Sequence, residues 1–147
     1  MTTLQDFEQQ FILLCEAGFI AVNQFDEDAA TKLFKASQLL SPNNTLPQIG
    51  FGYMHLCKLE LRQACEMFEK ALQKEPHNEM AKTFLGISLS FLPNELNKGE
   101  KMLDEISQQA RDAHIKTLAD TAIDFVEKFI RKSPTPVQPQ PPTKKKP

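Results

Sequence analysis

The groups in this chain that could do chemistry are three histidines (His55, His77, His114), three cysteines (Cys15, Cys57, Cys65) and the carboxylates. Metal binding or acid–base catalysis needs several such groups to converge, and no spacing here brings them together. The histidines are far apart, with no i,i+4 pair that would place two rings on one helix face. The cysteines are odd in number, lack CxxC spacing and fall on predicted helices, which fits reduced, apolar-like thiols rather than a disulfide frame. The five glycines form no phosphate-cradling loop. The acids are scattered as on solvated helix faces. These residues predict a protein that is not an enzyme and takes no metal or cofactor.

Composition narrows the partners. Hydrophobic residues make up 41% of 147 residues, ordinary for one soluble domain. The apolar runs are short and interrupted, so no membrane insertion is expected. Residues 1–11, MTTLQDFEQQF, lack the basic start and apolar run of a secretory signal, and the expected location is the cytoplasm. The net charge of −2 hides an asymmetry, because residues 133–147 hold three lysines and no acid. Residues 1–132 therefore carry 14 of the 17 basic groups and all 19 acids, a net of −5. An acidic body argues against nucleic acid as a partner.

The elements that must position any site repeat every 34 residues. Gly18, Gly52 and Gly86 keep this spacing, as do Ala30 and Ala64, Phe34 and Phe68, Ser37 and Ala71, and Pro42 and Pro76. Small, aromatic, small and proline residues in this order form the tetratricopeptide (TPR) pattern of paired helices. The small residues let two helices approach closely, the aromatic fills the space between units, and the proline ends the second helix. The fold class expected is all-α: three stacked TPR hairpins, about 11–44, 45–78 and 79–111, in a right-handed superhelix. A cap helix over 112–132 covers the last apolar face, as stacked repeats require.

In chain order, Thr2 or Thr3 caps a helix with Leu4, Phe7, Phe11, Leu14 and Gly18 on one stripe, running to about Val22. Asp26 caps the next, about Glu27 to Leu40, and Ser41-Pro42-Asn43-Asn44 stops it. Thr45 caps a third helix that tolerates Pro47 and ends near Lys58; its partner runs from about Leu61 to Lys74. Asn78 caps the fifth, which ends at Leu92. The period then breaks at Lys98, and one inserted residue in the Pro93–Asn97 loop restores it, giving Gly99, Leu103 and Ile106 the packing places. The cap helix shows Ile115, Leu118, Ala122, Phe125, Val126 and Phe129 on one side. His55 takes the place of the usual TPR tyrosine and reads as a packing residue between the helices of one unit. Residues 133–147 hold six of the ten prolines and two PxxP steps, which predicts an extended, disordered tail.

In TPR stacks the first helix of each pair lines a concave groove. The glycine register assigns to it Ile12, Cys15, Phe19 and Val22, then Leu46, Ile49, Tyr53 and Leu56, then Met80, Thr83, Ile87 and Ser90. Ten of the twelve are apolar and none is charged. TPR domains that clamp acidic C-termini line this groove with Lys, Arg and Asn, which are absent. The expected ligand is an apolar face of a helix or extended segment. The alternative is a groove filled permanently by a subunit or by the chain's own ends.

A small, acidic, three-TPR chain with an apolar groove resembles the chaperones of bacterial type III secretion. The stretch Phe51–Lys58 and the helix after Gln109 are similar to the needle-subunit chaperones, including their chlamydial form. That resemblance implies a cytoplasmic protein whose concave face holds the amphipathic C-terminal helix of a needle subunit and prevents premature polymerisation. It also implies a small helical co-chaperone completing a heterotrimer. The translocator chaperones, which take an extended motif in the same groove, and a TPR scaffold with a self-filled groove are the alternatives.

Overall fold

A computed structural model describes residues 3–131. Seven α-helices follow one another: α1 (Leu4–Asn23), α2 (Glu27–Leu40), α3 (Leu46–Cys57), α4 (Leu61–Lys74), α5 (Glu79–Ser90), α6 (Leu96–Gln109) and α7 (Ala113–Phe125). A π-helical turn, Val126–Arg131, closes the described chain, and no strand occurs among these residues. The fold is all-α. The tail expected over 133–147 lies outside the described residues.

Polar side chains start most of these helices. Thr3 Oγ1 accepts the Asp6 N–H while the Asp6 carboxylate accepts the Thr3 N–H, a reciprocal capping box. Asp26, Asn78 and Asp112 each accept backbone N–H bonds from the first turns of α2, α5 and α7. Thr45 does not serve as the expected side-chain cap. Its backbone is already helical and its side chain buried, and Asn44 Oδ1 accepts the Leu46 N–H at 3.0 Å instead.

Each helix packs on the next, and α1 also touches α3, α3 touches α5 and α5 touches α7. The centre of the first interface is Phe34, fully buried on α2. A Cβ added at Gly18 of α1 would lie 2.5 Å from the Phe34 ring, and Gly50 of α3 approaches the ring at least as closely. Phe19 and Phe51 close the remaining sides, with ring centroids 5.4 and 5.3 Å away. Phe68 repeats the arrangement against Gly52, with Phe84 of α5 stacked at 5.6 Å in place of a second glycine. In α6, Gly99, Leu103 and Ile106 are buried in the places the inserted residue assigns them. The Gly99 backbone lies against Ser90 and the Gly86 carbonyl.

The turns after α1, α3 and α5 each contain one residue with left-handed backbone: Phe25 (φ 61°), Leu59 (φ 58°) and Asn94 (φ 68°). For a residue with a Cβ this costs about 1–2 kcal/mol, asparagine being the usual exception. Leu59 follows Phe25 by the repeat length, and Asn94 comes one residue later than the repeat, where the insertion falls.

The end of the chain departs from a single straight cap helix. Ile115, Ala119 and Val126 are the buried residues, while Leu118 and Ala122 are half-buried and Phe125 and Phe129 are 43% and 61% exposed. The wider π turn shifts the phase of the stripe after Phe125. It also brings Arg131 onto Glu100, with a further bond to Asn97 Oδ1 at 2.9 Å.

Two outcomes follow. Gly50→Ala gains about 1 kcal/mol of helix propensity but drives a methyl into an immobile ring, an overpacking cost of about 1–3 kcal/mol. Urea unfolding of this variant is expected to show net destabilisation, and adding Phe34→Leu to recover part of it. At the other end, the Arg131 hydrogen bond holds the Glu100 carboxyl below its ordinary value. A depressed carboxylate contributes above its unfolded pKa and loses that contribution as pH falls through the lowered folded value. Backbone NMR shifts of 126–131 are therefore expected to lose helical character as the pH is taken below the glutamate range, and Glu100→Gln to show that loss already at neutral pH.

Candidate functional site

The twelve residues assigned to the groove divide into three groups. Cys15, Val22, Ile49, Thr83 and Ser90 are buried. Val22 belongs to the core around Phe34, and Ile49 to the core around Phe68 and Leu85. The Thr83 and Ser90 hydroxyls donate to the carbonyls of Glu79 and Gly86 in their own helix, both at 2.7 Å, so neither points a free polar group outward. Met80 and Ile87 are half-buried and pack with Leu103, Ile106, Ile115 and Ala119 beneath α7. The chain thus covers this part of its own helix row. Ile12, exposed, and Phe19, Leu46, Tyr53 and Leu56, half-buried, remain reachable from solvent on α1 and α3.

These accessible residues are tied together by ring contacts. Phe19, Tyr53 and Phe84, from α1, α3 and α5, form a ladder with successive centroids 5.5 and 5.2 Å apart. Tyr53 donates its hydroxyl to Asn23 Oδ1 at 2.5 Å, bracing the end of α1 against α3. Burial, with smaller effects from the neighbouring Cys57 thiol, pushes the Tyr53 phenol up to about 12. It is a neutral donor throughout the physiological range.

Beside this surface, α1 runs two turns past the start of the repeat unit. Its Leu4, Phe7 and Phe11, together with Ile12, Leu40 and Leu46, line a cleft of about 500 Å³ against the α2–α3 turn. Glu8 is the single charged group in that lining. The cleft shares Ile12 and Leu46 with the ladder's side of the molecule. The sequence offered Leu4 and Phe7 only as members of a core stripe. They are 85% and 45% exposed because α2 ends before it reaches them.

A smaller concavity of about 150 Å³, lined by Val22, Phe25, Glu27, Met54, Cys57 and Lys58, is also largely apolar, and others are polar. A cavity of about 560 Å³ between α5 and the α6–α7 turn is rimmed by His77, Glu79, Lys82, Glu105 and Arg111. The Glu79 carboxylate there accepts the Arg111 N–H at 2.8 Å and the Asp112 N–H at 3.3 Å, which satisfies it structurally. His55 is half-buried. Its Nδ1 lies 2.5 Å from Glu60 Oε2 across the α3–α4 turn, because the left-handed Leu59 folds the start of α4 back toward it. Among the described residues no three His, Cys, Asp or Glu side chains group as a metal site. Cys15 and Cys65 are buried, and burial raises both thiols, Cys65 to about 11. They stay protonated at neutral pH and are poor nucleophiles. Cys57 is exposed, yet desolvation raises its thiol too.

Comparison with protein families, with curated proteins and with solved structures finds no match to this chain. What the molecule offers is its own geometry: an aromatic and aliphatic patch over α1 and α3 beside a cleft whose lining is largely apolar, with Glu8 its one charged group.

Tyr53 is the sole tyrosine and there is no tryptophan, so a spectrophotometric titration reports on this surface alone. The phenolate signal is expected to be nearly absent at pH 10 and to rise with a midpoint near 12. The sign is that of a raised acid: the buried neutral phenol favours the fold below its unfolded value, and that support is lost as pH rises through the folded one. Asn23→Ala, which removes the acceptor, leaves the desolvation in place and is expected to keep the midpoint well above 10.

Proposed function

We propose that this chain is a three-hairpin TPR stack capped by α7 and the π turn, and that it works as a protein-binding chaperone. In the family it resembles, its client is the needle subunit of a type III secretion apparatus, held in the cytoplasm with a small helical co-chaperone beside it. The client's amphipathic helix lays its apolar face along Ile12, Phe19, Leu46, Tyr53 and Leu56. While bound there, its self-association surface is hidden and polymerisation is blocked. The observation that carries this reading is the set of solvent-reachable apolar residues on α1 and α3 with their adjoining, largely apolar cleft. Exposed apolar area of this kind marks a binding groove. The 34-residue register, the helix pairing and the buried small–aromatic contacts support the TPR part of the proposal. No described helix is long and apolar enough to cross a membrane.

The translocator-chaperone alternative puts an extended segment in the same groove. A second reading, a scaffold with a self-filled groove, is favoured by one observation: α7 already covers Met80 and Ile87. The two separate by mutation. Under the chaperone reading, Tyr53→Glu or Ile12→Glu leaves circular dichroism unchanged and abolishes co-purification with a co-expressed needle-type subunit. Ile87→Glu instead buries a charge under α7 and is expected to lower thermal stability, whatever the partner. Normal client binding by both Tyr53→Glu and Ile12→Glu would remove this surface from the function.

A further inference from the structure

The open end of the helix row carries side-chain charge of one sign. Residues 1–31 contain six acidic residues and neither lysine nor arginine. Four of the six are engaged locally. Asp6 closes the capping box with Thr3, Asp26 caps α2, Glu27 pairs with Lys58 and Asp28 with Lys32. Glu8 and Glu16 remain, both exposed on α1, and neither makes a hydrogen bond or ion pair among the described residues.

Their places on the helix single them out. Glu8 lies one turn before Ile12 and Glu16 one turn after it, so all three share a side of α1. The two carboxylates are about 12 Å apart along the axis. Ile12 is an exposed member of the apolar patch, and Glu8 also lines the cleft with Leu4 and Leu46. Phe19, three residues after Glu16, carries the ring ladder to Tyr53. Opposite them, α3 holds no lysine, arginine, aspartate or glutamate, and its His55 is engaged by Glu60. Helix formation does not call for either acid, because the first turn of α1, where the helix dipole favours negative charge, ends before both.

We infer, on the reading of this surface as a binding groove, that its occupant is an amphipathic segment whose apolar face is bordered by lysine or arginine. Glu8 and Glu16 each meet one of those cations. A segment bordered by acids sets like charges against them at the edge of an apolar contact, which disfavours it. Solvated ion pairs add little each. Apolar burial therefore supplies most of the affinity, and the two glutamates discriminate between ligands. In a helical ligand the two cations stand about two turns apart, which matches the spacing on α1.

The test uses two labelled synthetic helices that share a leucine face and glutamine polar positions. They differ at two sites, two turns apart on the border of that face, which are lysine in one and glutamate in the other. Fluorescence anisotropy with the full chain at low salt is expected to show the lysine peptide bound about five- to tenfold more tightly. In about 1 M salt, where the Debye length is about 3 Å, the preference should fall below about twofold. Glu8→Gln/Glu16→Gln should remove the preference at low salt and leave binding through the leucine face. Glu66→Gln/Glu69→Gln, which takes the same charge from exposed positions on α4, should keep it. Equal binding of the two peptides overturns the assignment and leaves the groove standing, as does a preference that survives the Glu8/Glu16 variant or disappears equally in the α4 variant. Binding of neither peptide overturns the groove reading itself, and this assignment with it. Lysine-peptide affinity that rises several-fold in Lys144→Gln/Lys145→Gln/Lys146→Gln gives the two acids to the chain's own end. Affinity that falls as the protein is concentrated gives them to a second copy. Either result overturns an outside partner.

Discussion

Phe34 sits where two helices have given up their side chains to admit it. Its ring occupies the space beside Gly18 and Gly50, so α1, α2 and α3 can share one contact point. Everything after α3 inherits its placement from that approach. If either glycine carried a Cβ, the ring would have to leave, and the distance between the first and second helix pairs would grow. Phe68 makes the same demand of Gly52 but meets an aromatic, Phe84, in the next pair. One interface is therefore built on absence of side chain and the next on stacked rings. The second route carries the ring contacts on through Tyr53 to Phe19.

The apolar surface over α1 and α3 follows from this packing. α1, α3 and α5 touch one another in a row, and their shared side differs between its two ends. At the C-terminal end it is covered: α7 lies on α5 and α6 and takes Met80 and Ile87 into a shared core. At the N-terminal end nothing in the described chain lies over Ile12, and the extra turns of α1 lengthen the apolar surface. The two ends of the helix row therefore differ, one covered and the other open among the described residues.

Electrostatics plays a local part. The paired charges fasten turns and ends: Lys58 across two neighbouring turns, Glu79 onto the α6–α7 turn, Arg131 onto Glu100. Most are at least partly solvated, where single pairs contribute little to stability. Their effect is positional. They keep the turns in line, and none of them involves Ile12, Phe19, Leu46, Tyr53 or Leu56.

A large part of this was legible in the residues. Glycine, alanine and phenylalanine spaced by one repeat length specify close helix pairs, because only small residues permit the approach and only a ring fills what remains. The bounds of α2 and α4 and the caps at Asp26 and Asn78 also follow from local chemistry, which acts over three or four residues. The same register could name a groove-facing row but not which members are reachable. Cys15, Val22 and Ile49 lie in that row and are core, since burial depends on how neighbouring pairs rotate against one another. Met80 and Ile87 lie in it and are covered, since α7 returns to them from far along the chain. The contact of Arg131, at the end of the π turn, with Glu100 likewise joins residues far apart in the chain. The left-handed backbone of Phe25 and Leu59 was hidden for a simpler reason. Neither residue type prefers that conformation, so the chain itself carries no mark of it. Periodicity states which residues can meet, and only the packed chain decides which are left facing out.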